Sequence, residues 1–224
     1  MDPFQRRLDE LPAIFPVFPL DGALLLPRGK LPLNIFEPRY MAIIEDALGT
    51  GRMFAMIQAD PQRTAGPGGP ALYRIGCLGR IASFSETDDG HYLITLVGVA
   101  RFVVAEEVEM RRGYRRVQGD FTGYAGDLAP SDTMAGFDRD GLTTALRSYF
   151  TRRGFDPNWD AIGKMADTTL VTTLAMVCPF DPAEKQALLE APDDAARAHT
   201  LRTLLEIDTH KLTEPGPSGP ARAS

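Results

Sequence analysis

Residues 15–49, FPVFPLDGALLLPRGKLPLNIFEPRYMAIIEDALG, decide the fold of this 224-residue chain. Short apolar runs at residues 14–20, 23–26 and 31–34 predict three β-strands separated by proline and glycine. Because proline cannot donate a hydrogen bond to a central ladder, we expect these strands at sheet edges or bends. A helix is predicted to open at residues 37–39, Glu-Pro-Arg, since the fixed φ of proline suits the first helical position.

The pattern of short strands continues to the middle of the chain. Further strands are predicted at residues 52–58, 72–85, 91–97, 101–109 and 116–124. The second and third of these form a hairpin, because Asp88-Asp89-Gly90 lies between them and glycine supplies the positive φ of a tight turn. A loop is expected at residues 64–70. Seven or eight short strands close together predict a small closed barrel or a sandwich.

The second half of the chain has helical periodicity instead. Apolar residues spaced three and four apart predict one helix around residues 142–150 and a second, central helix over residues 162–177. Asp181-Pro182-Ala183-Glu184 has the spacing of a capping box and predicts a short helix to Ala191. A last helix is expected over residues 193–212, with four residues on its inner side: Leu201, Leu204, Leu205 and Leu212.

The composition excludes several classes of protein. Hydrophobic residues make up 44% of the chain, enough for a sizeable core, and the net charge of −6 argues against a general nucleic-acid binder. Cys77 and Cys178 lie far apart, which excludes a four-cysteine zinc site and fits a reducing compartment. Neither a secretory signal nor a membrane-spanning run is recognisable, so we expect a cytoplasmic protein without membrane contact.

Four segments together resemble a known family. They are NIFEPRY (34–40), ALYRIGCLGRIASF (71–84), GVARFVVAE (98–106) and CPFDPAEKQALLEAPDDAARAHTLRTLLEID (178–208). In order and spacing they are similar to the N-terminal, substrate-recognition domain of the ATP-dependent Lon proteases. The form at residues 34–40 looks like that of stand-alone family members and of the related domain of cereblon.

The resemblance implies an α+β fold, with an N-terminal PUA-like β-barrel followed by a C-terminal α-helical bundle. We expect a barrel over residues 13–125 and a bundle over residues 132–212, which the short connection should hold together. Residues 1–12 would form an N-terminal extension. Residues 213–224 are rich in proline, glycine and small polar residues, a composition typical of a disordered tail.

Sequence motifs for catalysis are not found. Gly29-Lys30 is followed by Leu31 rather than Ser or Thr, so it does not form a P-loop. The Ser–Lys peptidase dyad of the Lon family belongs to a domain that this chain is not expected to contain. The three histidines, His91, His199 and His210, lack the spacing of a metal pair, and both cysteines lie in apolar contexts typical of inert thiols. We therefore expect no enzymatic activity, no cofactor and no metal.

Phe36, Arg39 and Tyr40 are the candidate peptide-binding residues. Phe36 and Tyr40 are four residues apart and could line an apolar recognition groove on one side of the helix. They could equally be the plug that seats the helix on the barrel, and this second interpretation is favoured for Phe36. For Arg39, an ion pair with a neighbouring carboxylate is favoured over a contact with a ligand.

The basic sequence Arg111-Arg112-Gly113-Tyr114-Arg115-Arg116 permits a second interpretation. Arginines on phosphate and a base stacked on Tyr114 would suit RNA, which some PUA-like barrels bind. A solvated hairpin tip, paired with Glu106, Glu107 and Glu109, is favoured instead.

The resemblance implies a non-enzymatic protein that recognises polypeptide segments or a protein partner, through an exposed apolar groove between barrel and bundle. The alternatives are a PUA-like RNA-binding module and an adaptor that delivers substrates to a separate protease. The partner and the oligomeric state remain open.

Overall fold

The computed structural model describes residues 7–66, 68–129, 134 and 136–211, with side chains as far as Thr209. Within these residues the strands are β1 (Ile14–Pro19), β2 (Lys30–Ile35), β3 (Met53–Ile57), β4 (Ile75–Glu86), β5 (Tyr92–Arg111) and β6 (Tyr114–Asp120). The helices are α1 (Pro38–Gly49), α2 (Arg139–Arg153), α3 (Trp159–Lys164), α4 (Asp167–Val177), α5 (Pro182–Glu190) and α6 (Asp194–Lys211). Short 3-10 helices cover Leu8–Glu10 and Thr122–Leu128.

Five strands close into a barrel in the order β5-β4-β3-β1-β6, with β6 hydrogen-bonded back to β5. β2 lies outside this ring and pairs with residues 92–97 of β5, whereas residues 103–111 of β5 pair with β6. A register shift between β4 and β5 leaves Val99 as the extra residue of a β-bulge. A bulge bends its strand, so the first part of β5 can pair with β2 and the last part with β6. The expected strands at 91–97 and 101–109 are therefore one strand of 20 residues.

Gly98 explains why a predicted strand is missing. Its amide donates to the Gly29 carbonyl at 2.9 Å, and a Cβ at this position would lie 2.0 Å from the Leu26 carbonyl oxygen. The chain before β2 thus crosses directly over β5. Residues 23–26, expected as a strand, form an irregular segment whose three leucines fill the core instead of pairing. The strand expected at residues 116–124 likewise ends early, at Asp120, before the second 3-10 helix.

Pro16 and Pro32 lie at positions where the missing N–H removes no hydrogen bond between strands. β2 is the outer strand of the sheet, as expected. The Gly98 amide donates a hydrogen bond to the Gly29 carbonyl, and in an antiparallel ladder only every second residue is hydrogen-bonded to the partner strand. Counted from Gly29, Pro32 is one of the residues in between, so the position of its missing N–H faces the open edge of the sheet. β1, in contrast, lies between β3 and β6 rather than at an edge. There Pro16 pairs in register with β6 alone, because the pairing with β3 begins at Val17.

Helix α1 packs against β3 and β6 of the barrel. It begins at Pro38 after the N-cap residue Glu37, as the sequence predicts. Its buried residues are Tyr40, Ala42, Ile43, Ile44 and Ala47, all of which belong to the larger core cluster.

The helical bundle is organised around α6, which contacts α2, α4 and α5. Leu201 and Leu205 of α6 are fully buried and Leu204 is half-buried, whereas Leu212 lies outside the described residues. The capping box predicted at Asp181 is present with both hydrogen bonds, and α5 begins at Pro182. These leucines share one core cluster with residues of the barrel, so the two halves pack together.

The expected central helix over residues 162–177 is two helices. Met165 has extended backbone geometry (φ −69°, ψ 140°) and separates α3 from α4. Arg139 of α2 stabilises this break, because its guanidinium donates to the carbonyl oxygens at the end of α3 and pairs with Asp167 at the start of α4. Val177, expected on the inner face, is 65% exposed.

Arg101, one member of a buried ion pair, joins the barrel to the bundle. The Arg101 guanidinium of β5 donates to the Asp127 carboxylate at 2.7 and 2.9 Å, and also to the carbonyl oxygens of Leu189 and Ala191 beside α5. Both charged side chains are buried. These hydrogen bonds hold the end of α5 against β5, and removing the guanidinium would leave a buried carboxylate and buried carbonyl oxygens without partners.

Candidate functional site

The segment between β2 and α1 carries the three candidate peptide-binding residues. Side chains alternate along β2, so Ile35 points into the core and Phe36 points away from it. Phe36 is 59% exposed, and its ring centroid lies 5.5 Å from that of His91. The interpretation of Phe36 as the plug that seats α1 is therefore wrong.

Tyr40 is the residue that seats the helix. It is buried, and its ring stacks on Phe18 of β1 with 3.9 Å between centroids. Burial raises the pKa of the Tyr40 phenol above its usual value, so the ring stays neutral at physiological pH. Tyr40 therefore packs helix α1 onto the barrel and offers little exposed surface to a ligand.

Arg39 lies beside these aromatic residues at the protein surface. Its guanidinium donates two hydrogen bonds to the Glu37 carboxylate, at 2.9 and 3.0 Å, which is the ion pair expected from the sequence. The same group lies 4.5 Å from the centre of the Tyr40 ring, a distance suited to a cation–π contact. About half of the Arg39 side chain remains exposed, so it can still contact a bound molecule.

The β4–β5 hairpin extends this site with two exposed apolar side chains, Phe84 and Leu93. Leu93 pairs in register with Asn34, which places it diagonally from Phe36 on one face of the sheet. Phe84 lies on the opposite face of the hairpin, with its ring 5.1 Å from that of Tyr92. We call Phe36 and Leu93, which share one face, the hairpin surface.

The sequence analysis missed Phe84 and Leu93. A signal was nonetheless present, since Leu93 is an apolar residue at an outward position of an alternating strand.

The basic segment at residues 111–116 forms the tip of the β5–β6 hairpin, which is the interpretation that the sequence favours. The acidic residues that pair with its arginines differ from those expected. Arg112, with φ of 48°, and Gly113 make the turn. Arg111 and Arg112 form ion pairs with Asp46 of α1, and Arg112 also pairs with Glu45. Of the three expected glutamates, only the Glu107 carboxylate is used, by Arg115.

Tyr114, the aromatic residue of this segment, is buried. Its hydroxyl donates to the Asp46 carboxylate, and burial followed by this hydrogen bond raises the pKa of Tyr114 to about 12. A buried ring cannot stack on a nucleic-acid base, so the RNA interpretation loses its aromatic contact.

Both cysteines are buried, and the effect of burial on their pKa outweighs that of the positive charges near them. Burial raises the pKa of the Cys77 thiol far above its usual range, and raises that of Cys178 to about 12. Both thiols therefore stay protonated, and a protonated thiol is a poor nucleophile.

Of the histidines, His91 lies next to Asp89 in the β4–β5 turn and His199 is exposed, while the side chain of His210 lies outside the described residues. The described part of the chain has no group of three or more potential ligands placed to hold a metal ion. No helix in that part is both long and apolar enough to cross a membrane.

Comparison with known proteins identifies one family. A family model described as the ATP-dependent protease La (LON) substrate-binding domain matches residues 14–206. The Lon protease of Anaeromyxobacter dehalogenans and Lon protease 2 of Myxococcus xanthus are each 28% identical over 101 residues, which is 45% of this chain. The chain spans 12% of the length of each of these relatives.

Solved structures show the same fold. The Lon N-terminal domain protein from Xanthomonas campestris superposes with a TM-score of 0.58 at 22% identity, covering 85% of this chain and 97% of that one. The N-terminal domain of Mycobacterium avium complex Lon protease gives a TM-score of 0.57 at 16% identity, covering 86% and 97%. The barrel followed by helices is thus an architecture that these proteins share.

Proposed function

Because this chain belongs to the family of ATP-dependent protease La (Lon) substrate-binding domains, we propose that it binds segments of other polypeptides without changing them chemically. The observation that carries this proposal is the hairpin surface, where Phe36 is largely exposed directly beside the firmly packed helix α1. Exposed aromatic side chains on a rigid support are typical of sites that bind apolar peptide.

The chemistry of the hairpin surface suits unfolded or partly folded polypeptide. Phe36 and Leu93 offer apolar area on one face, and burying each side chain contributes about 1.5–3 kcal/mol. Arg39 and Glu37, half-exposed at its margin, can bind the polar backbone that accompanies apolar side chains in an unfolded chain. Because ordering a mobile ligand costs entropy, we expect a Kd in the micromolar range, which corresponds to a binding free energy of about −8 kcal/mol.

Recognition by this surface needs no catalytic group. The family model that matches is that of the substrate-binding domain, and the two buried thiols are poor nucleophiles. We therefore propose a purely binding role, in which a client is held at equilibrium and released unchanged.

The test is a titration of a permanently unfolded model protein, followed by fluorescence anisotropy. Phe36→Ser and Leu93→Ser should each weaken binding about tenfold, since each removes about 1.4 kcal/mol or more of apolar contact. Phe155→Ser is the matched control, because Phe155 is also 59% exposed but lies beyond α2, in the bundle. Equal losses in Phe36→Ser and Phe155→Ser would reject the hairpin surface as the site.

Salt dependence separates this function from nucleic-acid binding. Apolar peptide binding should change little between about 50 mM and 200 mM salt, whereas phosphate binding should fall steeply. Binding of a short RNA alone, lost as salt rises, would contradict the proposal.

A further inference from the structure

A cavity lies at the other end of β2, between the barrel and the bundle. It is bounded by the turn at residues 28–30 and by the face of α4 that carries Thr168, Thr169, Thr172 and Thr173. We call it the threonine groove. Its volume is about 340 Å³, within the range of ligand-binding clefts. The hairpin surface is separate from it, since Lys30 begins β2 and Phe36 follows its last residue.

Four threonines are an unusual choice for one helix face. Threonine is β-branched and stabilises a helix less than the lysine, glutamate or alanine that solvent-exposed helices commonly carry. Thr168 and Thr172 are only 5% and 8% exposed, yet none of the four hydroxyls makes a hydrogen bond to another described residue. Elsewhere in the bundle, Thr144, Thr200 and Thr203 bond the carbonyl oxygen four residues earlier.

These four residues thus line the cavity, and the hydrogen-bonding capacity of their hydroxyls is not used by the described residues. A hydroxyl both donates and accepts, so a row of them can pair with the alternating N–H and C=O groups of a peptide backbone.

The charge of the groove is positive. Lys30 is exposed and forms no ion pair within the described ranges, and no acidic side chain is among the described residues that line the groove. Arg28 is held by Asp194 and by the Ala129 carbonyl, which fixes the turn on which Lys30 sits. Asp167, the first residue of α4, is paired with Arg139 and does not line the groove.

The other end of the groove is apolar. A Cβ at Gly29 would lie 2.2 Å from the Met176 sulfur, so the backbone of the turn packs closely against this side chain of α4. Val177 is 65% exposed beside Met176 and offers an apolar surface next to the cationic turn.

We propose that the threonine groove binds a short, extended, acidic segment of polypeptide. The face of α4 from Thr168 to Val177 is about 14 Å long, which matches about four extended residues. In this complex the threonine hydroxyls bond the peptide backbone, a carboxylate contacts Lys30 and an apolar side chain covers Val177. The proposal goes beyond the hairpin surface, because it assigns a second site with a different ligand preference.

The experiment compares two labelled peptides of equal length, one alternating glutamate with valine and the other glutamine with valine. The unaltered 224-residue chain should bind the glutamate peptide about tenfold more tightly, and Lys30→Gln should remove this preference. Thr172→Val, which removes a hydroxyl at nearly constant volume, should weaken binding of both peptides. Lys164→Gln and Thr203→Val are the controls for charge and for loss of a helical hydroxyl, and both should bind within about twofold of the parent.

Circular dichroism melting checks that each variant is folded, and Lys30→Gln alters an exposed side chain that the fold does not need. Equal binding of the two peptides, or equal effects of Lys30→Gln and Lys164→Gln, would overturn the proposal. So would a groove that binds inorganic phosphate but neither peptide. Phe36→Ser should leave binding of the glutamate peptide unchanged, so failure of this site is distinguishable from failure of the hairpin surface.

Discussion

Phe36 and Tyr40 are aromatic residues four positions apart whose roles are opposite. The spacing suggested a shared helical face, but Phe36 precedes the first turn of α1 and so follows the alternation of β2 instead. Tyr40, inside the helix, turns towards Phe18 and the barrel. The position of the helix start, rather than the spacing, decides which ring is available to a ligand.

Substitution of the two rings should therefore separate stability from binding. Tyr40→Ala removes a buried, stacked ring and should lower the free energy of unfolding by about 3–5 kcal/mol, as for other aromatic-to-alanine changes in cores. Phe36→Ala should change it by less than about 0.5 kcal/mol, because the ring is mostly exposed. Urea denaturation of both variants measures this difference. A Tyr40→Ala variant as stable as the parent would show that Tyr40 does not seat the helix.

At the scale of elements, Asp46 joins α1 to the β5–β6 hairpin. Its carboxylate accepts a hydrogen bond from the Tyr114 hydroxyl and ion pairs from Arg111 and Arg112. The Tyr114 hydrogen bond, and after it the contacts with the arginines, hold the pKa of Asp46 below its usual value. The folded state thus favours the charged carboxylate more than the unfolded state does.

Asp46 should make the stability of the protein depend on acid pH. Because its folded pKa is lowered, its contribution is fully present above the unfolded value of 3.8 and is lost as the pH falls through the folded pKa. Asp46→Asn should therefore be less stable than the parent at neutral pH, and the difference should shrink below about pH 4. Thermal melts from pH 7 to pH 3 test this. A constant difference across that range would mean that the charge of Asp46 contributes nothing.

Elements with local signals were predictable from the sequence, and elements set by distant contacts were not. Pro38 marks the start of α1, Asp181 that of α5, and Gly90 the β4–β5 turn, because each fixes backbone geometry within a few residues. The break before α4 depends on Arg139 of another helix, which no local pattern shows. The irregular course of residues 23–26 depends on Gly98 in a distant strand.

The residues of the candidate site also divide into those that a local sequence signal identifies and those that depend on distant contacts. Phe36 and Arg39 could be selected from the sequence because they follow the strand-to-helix signal. Leu93 joins Phe36 only through the register of β2 with β5, which requires the pairing of distant strands. The threonines of α4 were assigned to a central helix, since their unused hydroxyls become visible only when the neighbouring turn is in place.

At the scale of the whole molecule, the bundle shares the larger of two hydrophobic clusters with the barrel, and the smaller cluster lies within the barrel alone. Leu24, Leu25 and Leu26 from the barrel half share a cluster with Leu201 and Leu205 of α6. Arg101 adds directional hydrogen bonds from the barrel to the end of α5, and burial of the leucines contributes about 1.5–3 kcal/mol for each side chain. Losing α6 should therefore unfold more than the bundle.

Two truncations test how far this shared core extends. Removing residues 215–224, PGPSGPARAS, should leave the melting temperature nearly unchanged, because this sequence has no large apolar side chain to bury. Removing residues 193–224 also deletes Leu201 and Leu205, which are 0% exposed, and the buried Arg197. Each leucine contributes about 1.5–3 kcal/mol, and with the other contacts of α6 the loss approaches the total stability of about 5–15 kcal/mol of a typical domain. The longer truncation should thus be unfolded or aggregated by circular dichroism and size-exclusion chromatography. If it melts within a few degrees of the full chain, α6 is dispensable and the cluster within the barrel is sufficient to hold the fold.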